Sequence, residues 1–369
     1  MKDDKYAADR RAFLGGVVAT AGAAGLLAAC GSKQTGQAAG APAVGAAPGA
    51  QAAAVVPAPM KDVEGKVAFI TGGSSGIGLG QAHVFHEAGM KVVIGYIRDD
   101  QVGPALDGFK TGKERVHAIK VNVVDRAAMK AAADEIEAKF GKIHLLSNNA
   151  GIGPLTALLA TEPKDFDQTI AINLTGVYNG IHEFVPRIRK HGEGGHVVTT
   201  SSMSGILPTE GGGAGAYTAS KFAVTGMMEI LRSELDAAKA NIGASVYCPG
   251  LVATNIFELE KNLSASFNEK EKAAPADAAA NTEMIRKIVG AGMSPVEAAQ
   301  IVLAGIRNND LFILSHPEFG AGLQERMDAL MASVPGTTAP PERLAQEQVT
   351  MHNSLYLRES GKLKARRKA

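Results

Sequence analysis

Along residues 61–320, short apolar runs alternate with longer segments whose apolar residues recur every three or four positions. The runs at 67–70, 91–97, 116–121, 144–147, 196–201, 242–247 and 311–314 predict strands. The periodic segments at 77–88, 126–140, 165–190, 215–240 and 295–307 predict helices. Strands that carry no polar alternation are buried on both faces, and strands separated by helices pair in parallel. The pattern therefore predicts an α/β protein with a doubly wound, Rossmann-like parallel sheet in a single domain at 61–320.

Three stretches break this rhythm. Residues 255–292 are polar and Ala-rich and follow the strand that ends near Tyr247. Ligands of such sheets bind at the carboxyl ends of strands, so this insertion is expected to act as a substrate lid. Residues 1–29 open with Lys2, Lys5, Arg10 and Arg11, followed by a mildly apolar run that is short for a membrane span. Residues 30–60 are almost all Ala, Gly, Pro and Gln, without the large apolar side chains that offset ordering entropy, and read as a tether. The final stretch, 321–369, is an extension whose basic end carries Lys362, Lys364, Arg366, Arg367 and Lys368.

Composition narrows the functional classes. The chain has 369 residues, 46% hydrophobic and 20% charged, with a formal net charge of +1. It is long enough for a substantial core, and no global field draws it to nucleic acid. Trp is absent and aromatics are sparse, which argues against a base-stacking platform. Cys30 and Cys248 are too few for a disulfide framework. Cys248 is expected to be a small buried apolar residue, and His144 a structural one. No cluster spaced like metal ligands stands out.

The chemistry concentrates at predicted strand ends. After the first strand comes Thr71-Gly72-Gly73-Ser74-Ser75-Gly76-Ile77-Gly78, a Gly-rich turn that opens a helix. Glycines let the backbone approach a ligand closely, and free N–H groups at a helix start favour a pyrophosphate. Asn148-Asn149-Ala150-Gly151 ends the fourth strand, Ser201-Ser202-Met203-Ser204-Gly205 ends the fifth, and Pro249–Thr254 follows the sixth. Asn173 sits within the long helix 165–190. Tyr217 and Lys221 lie four apart, on one face of the helix 215–240.

These strings, in this order, resemble the short-chain dehydrogenase/reductase family in its branch with a TGxxxGxG turn. The resemblance implies an enzyme that transfers a hydride between a nicotinamide cofactor and an alcohol or ketone. It implies Tyr217 as acid/base and Lys221 as the ammonium that lowers the phenol's pKa and holds the nicotinamide ribose. Ser202 would hold the substrate oxygen, with Ser201 and Ser204 as alternatives. Asn173 would hold a water that links Lys221 to solvent in a proton relay, or else be a buried Asn that satisfies helix backbone. The cofactor would lie against Thr71, Gly72, Ser74, Ser75, Gly76, Ile77, Gly78, Arg98, Asn122, Val123, Asn149, Gly151, Tyr217, Lys221, Gly250, Val252 and Thr254. Where NAD-binding relatives place an acidic residue, the second strand ends with Tyr96 and Arg98 follows. This points to NADP(H), with NAD(H) the alternative. Homodimers or homotetramers through the two long helices are expected.

Two N-terminal strings resemble export signals. Arg10-Arg11-Ala12-Phe13-Leu14 is similar to a twin-arginine signal, and Leu27-Ala28-Ala29-Cys30 to a bacterial lipobox whose cysteine is lipidated. They imply a periplasmic, lipid-anchored protein, or a cytoplasmic one if the signal is unused. A lipid-anchored binding protein that keeps the fold without the chemistry is the contrasting class.

Overall fold

The computed structural model describes residues 58–208, 214–256, 287–350 and 354–367. The expected export signal, Cys30, nearly all of the expected linker and most of the expected lid lie outside the described residues.

Residues 58–235 and 240–337 form one compact unit. Its seven strands are β1 (Val67–Thr71), β2 (Lys91–Tyr96), β3 (Val116–Lys120), β4 (Leu145–Asn148), β5 (Gly195–Thr200), β6 (Ile242–Cys248) and β7 (Phe312–Leu314). They pair in parallel in the order β3-β2-β1-β4-β5-β6-β7. The fold is the predicted Rossmann-like one. Between the strands run α1 (Gly76–Glu87), α2 (Asp99–Asp107), α3 (Arg126–Phe140), α4 (Pro163–Ile170), α5 (Gly176–His191), α6 (Gly215–Ala237) and α7 (Pro295–Arg307), with α8 (Gly320–Ala332) after β7.

Successive strand residues face opposite sides of the sheet, so each strand feeds two cores. Val67 and Phe69 pack with Ile136 of α3, Phe184 of α5 and Met228 of α6. Ala68 and Ile70 pack with Phe85 of α1 and Val302 of α7. The rings of Phe69 and Phe184 stack with centroids 4.9 Å apart. The chain winds outward from β1 to β3, then returns to place β4 on the other side of β1. This switch opens a crevice at the carboxyl ends of β1 and β4.

Three features differ from the sequence expectation. The helix predicted over 165–190 is interrupted by a π turn at Ala171–Thr175, which joins α4 to α5. The helix α2 was not expected, because Gly103 and Pro104 interrupt its pattern. The C-terminal extension is helical. Besides α8, it holds α9 (Pro341–Thr350) and α10 (Ser354–Arg366), which belong to a second unit made of Thr338–Ala369 and Asp236–Lys239. The basic residues Lys364 and Arg366 stand in the last turn of α10, where they complement the helix dipole. No helix among the described residues is long and apolar enough to cross a membrane.

Candidate active site

A cavity of about 790 Å³ lies over the carboxyl ends of β1, β2, β4, β5 and β6. Of the residues singled out from the sequence, Gly72, Ser74, Ser75, Gly76, Ile77, Asn122, Val123, Asn149, Gly151, Ser202, Tyr217, Lys221, Gly250, Val252 and Thr254 line it.

At one end, α1 starts at Gly76 behind Ser75, with no acidic residue in its first turn. Its free N–H groups suit an anion. Gly76 has φ +51°, and a Cβ there would come within 3.0 Å of the Thr254 side chain. Thr71 and Gly78 do not line the cavity; they build the turn from behind. The Thr71 hydroxyl accepts from the amides of Asn149 at 3.0 Å and Ala150 at 3.1 Å. A Cβ on Gly78 would meet the Gly72 carbonyl oxygen at 2.2 Å, so glycine lets α1 close onto the turn. Asn149 ties the two strand ends together, donating to the carbonyls of Thr71 and Gly72 at 3.3 Å and accepting from Thr200 at 3.1 Å.

Beside the turn, Tyr96, Ile97 and Gln101 complete the wall. Arg98 is not among the lining residues; it caps α2 and pairs with Asp100. Asp99 pairs with Lys120. Gln101 was not expected from the sequence. The buried Ser74 hydroxyl donates to its Oε1 at 3.0 Å, which links α2 to the Gly-rich turn. The one sequence signal for it was its place a turn beyond the end of β2, where this architecture binds ligands.

At the other end, α6 delivers Tyr217 and Lys221, both buried. The Lys221 Nζ donates to the Thr200 carbonyl at 2.8 Å and stands 5.5 Å from the centre of the Tyr217 ring. Burial pulls its pKa down to about 8. Burial also raises the Tyr217 phenol above its usual value, against a hydrogen bond from Ser202 that lowers it. The lowering expected from Lys221 does not appear: burial is the largest influence on the phenol, and the net shift is upward.

The three serines divide by geometry. Ser201 lines the cavity as Ser202 and Ser204 do, but its hydroxyl is engaged by the Lys221 carbonyl and Thr225, both at 3.0 Å. Ser202 caps the short turn Met203–Gly205, accepts from the Ser204 amide at 3.1 Å and bonds to Tyr217. Asn173 lies behind the wall, inside the π turn. Its amide donates to the Ile152 carbonyl at 2.9 Å and to Ser220 at 3.0 Å, and accepts from the Ile152 amide at 2.9 Å. Its side chain is thus engaged by the loop main chain of Ile152 and by the Ser220 hydroxyl. Cys248 is fully buried, and its thiol is pushed up to about 12.

A second constellation lies away from this cavity, near the opposite ends of β1 and β4. His144, His191 and Glu193 bring ligand-type atoms within 4.8 Å of one another, a cluster that sequence spacing did not reveal. Each imidazole is already committed. The Nδ1 of His144 accepts from the Val67 amide at 3.1 Å, and its Nε2 faces Glu193 at 3.1 Å. In His191, Nδ1 accepts from the Glu193 amide at 3.2 Å and Nε2 donates to the Ile143 carbonyl at 2.8 Å. Neither ring has a lone pair left for a cation. Glu193 also pairs with Lys142 and Lys66, and is lowered to about 2. The group ties strand ends together, the structural role expected of His144.

A Gly-rich turn at a helix start, a Tyr–Lys pair on one helix and serines at a strand end, all around one crevice of a doubly wound sheet, define a nucleotide-dependent oxidoreductase. The chain belongs to the short chain dehydrogenase family, whose model matches residues 66–263. It is similar to a C alpha-dehydrogenase of Sphingobium sp. (strain NBRC 103272 / SYK-6), with 37% identity over 288 residues, 78% of this chain and 92% of the relative. Among solved structures, a short chain dehydrogenase/reductase from Burkholderia phymatum in complex with NAD superposes with a TM-score of 0.69. It is 28% identical, over 76% of this chain and 99% of its own. The apo form of LigD from Sphingobium sp. strain SYK-6 gives a TM-score of 0.60 at 34% identity, over 75% of this chain and all of its own, at 100%. The protein is therefore an oxidoreductase of a family that binds NAD(P)(H) and acts on small molecules.

Proposed function

We propose that the chain interconverts an alcohol and a ketone, with Tyr217 as acid/base and NADP(H) as the preferred cofactor. The observation that carries this reading is the meeting of Ser202, Tyr217 and Lys221 in the same cavity as the Gly-rich turn. The nicotinamide, when bound, supplies or accepts the hydride. In the reduction, the Tyr217 phenol gives its proton to the substrate oxygen; in the oxidation, the phenolate takes it back. Ser202 donates to the same oxygen and holds it within reach of the phenol. Lys221, with a pKa drawn to about 8, can lose and regain a proton near neutral pH and so resupply Tyr217. The Asn173 amide is occupied by Ile152, so in this reading a relay water is held by the main chain of the π turn, where the ordinary hydrogen-bond pattern is broken.

The fit to a dinucleotide rests on the cradle itself: an acid-free helix start, and a glycine whose added Cβ would crowd Thr254. NADP(H) is preferred because Tyr96 stands at the end of β2, in place of a carboxylate that would repel a 2′-phosphate. A second reading, NAD(H), is favoured by one observation: Arg98 is paired with Asp100 and does not line the cavity. A panel of alcohols and ketones, followed by absorbance of the reduced nicotinamide with each cofactor, tests both readings. Failure to bind either reduced cofactor would reject the proposal.

We also propose export and lipidation at Cys30, on the strength of the twin-arginine and lipobox-like strings. Cofactor loaded before export would then travel with the folded protein. Release of Cys30→Ala from the membrane fraction supports this; an unchanged, wholly soluble distribution of both forms rejects it.

A further inference from the structure

The family match ends at residue 263, yet the cavity does not. Phe319, Gly322 and Glu325 also line it. They are three apart, so they share one face at the start of α8. That helix is seated closely: a Cβ on Gly322 would come within 2.9 Å of Leu207. Arg326 places its guanidinium 5.3 Å from the centre of the Phe222 ring, which fastens α8 to α6. The nearest cation in sequence is thereby engaged elsewhere.

Glu325 and Lys221 are the charged residues among those lining the cavity. Lys221 is buried at the chemical end. Glu325 is exposed and makes no hydrogen bond or ion pair with another described residue. The wall residues Leu155, Met203, Leu207, Leu251 and Phe319 are apolar. A substrate that fills this space buries a large apolar body and meets one carboxylate.

Resting on the reading of the chain as an alcohol/ketone oxidoreductase, we propose that α8 forms a substrate subsite. It takes an alcohol or ketone with a bulky apolar body whose far end carries a hydrogen-bond donor, an ammonium or a hydroxyl, directed to Glu325. A carboxylate at that end is disfavoured by like charge.

The test uses the full chain and a set of aryl ketones that share one skeleton and end in methyl, hydroxymethyl, aminomethyl or carboxylate groups. For each, kcat/KM is measured with the reduced cofactor. In the wild type the aminomethyl and hydroxymethyl compounds should exceed the methyl compound on the order of fivefold, the range of an exposed polar pair, and the carboxylate should fall below it. In Glu325→Gln the aminomethyl advantage should vanish while the hydroxymethyl one persists. In Glu325→Lys the carboxylate should overtake the ammonium. These changes should lie mainly in KM, because in this proposal Glu325 binds the distal end of the substrate and takes no part in the proton transfer. The same rank order in wild type and Glu325→Lys overturns the subsite. So does a wild type that binds the reduced cofactor by fluorescence yet turns over no member of the set, which leaves the oxidoreductase reading standing. Failure to bind cofactor at all removes both.

Discussion

Arg98 donates from Nε to Asp100 Oδ1 at 3.0 Å and from Nη2 to Oδ2 at 2.9 Å, closing a two-pronged ion pair just past the end of β2. The pairing holds the Asp100 carboxyl below the usual carboxylate range. It also sets the guanidinium's first partner, so a 2′-phosphate must compete with a carboxylate for Arg98. Asp100→Ala should therefore tighten NADPH relative to NADH about two- to fivefold, the range of an exposed pair. Arg98→Ala should weaken NADPH selectively, and the double variant should match Arg98→Ala. Dissociation constants from nicotinamide fluorescence check this. Equal changes for both cofactors would rule out a phosphate role for Arg98.

Gln101 offers the converse change. Its Oε1 accepts from Ser74, and with Tyr96 and Ile97 it leaves this end of the cavity without an acid. Gln101→Glu keeps an acceptor for Ser74, so the turn should hold. The new carboxylate would accept from a ribose 2′-hydroxyl and repel a 2′-phosphate. NADPH should weaken roughly tenfold, given the cost of opposed like charges, while NADH binds as well or better. Titration of the variant with each reduced cofactor reads this directly.

Tyr217→Phe separates chemistry from binding. The phenol's burial and its bond to Ser202 place the hydroxyl at the chemical end of the cavity, and the ring remains in the variant. Loss of a positioned acid/base costs about a hundred- to ten-thousandfold in rate. The variant should lose that much kcat while its reduced-cofactor dissociation constant stays within about twofold of wild type. Wild-type turnover would sink the assignment of Tyr217.

Much of this arrangement was legible in the chain. The first strand is apolar through 67–70 because both faces are covered, and that pattern admits few other architectures. The Gly-rich turn and the Tyr217–Lys221 spacing carry their chemistry in adjacent residues. What escaped depends on contacts remote in sequence or on departures from period. A π turn at Asn173 leaves the apolar spacing of residues 165–190 almost unchanged, so a continuous helix was expected. Gln101 gains its role only because Ser74 comes to meet it. Phe319 and Glu325 reach the cavity from beyond the last strand, where no motif marks them. The balance of forces on Tyr217 was also hidden: charge is written in the sequence, but the extent of burial is not.

Lys221 gives a stability test that needs no substrate. Its pKa is drawn from 10.5 to about 8 by burial, so the folded state holds its proton less tightly than the unfolded chain. Between these values the unfolded state binds more protons, and unfolding free energy rises with pH. The penalty for the buried ammonium is thus complete below pH 8 and is relieved as pH rises toward 10.5. Lys221→Met removes this dependence. It also strips the Thr200 carbonyl of its donor, a cost that does not vary with pH. The stability of wild type relative to Lys221→Met should therefore increase by a few kcal/mol between pH 8 and pH 10, at a slope of up to about 1.4 kcal/mol for each unit of pH. Denaturant unfolding of both proteins across that range measures it. Parallel pH profiles would mean that Lys221 titrates as a solvated lysine, and would remove it as the group that resupplies Tyr217.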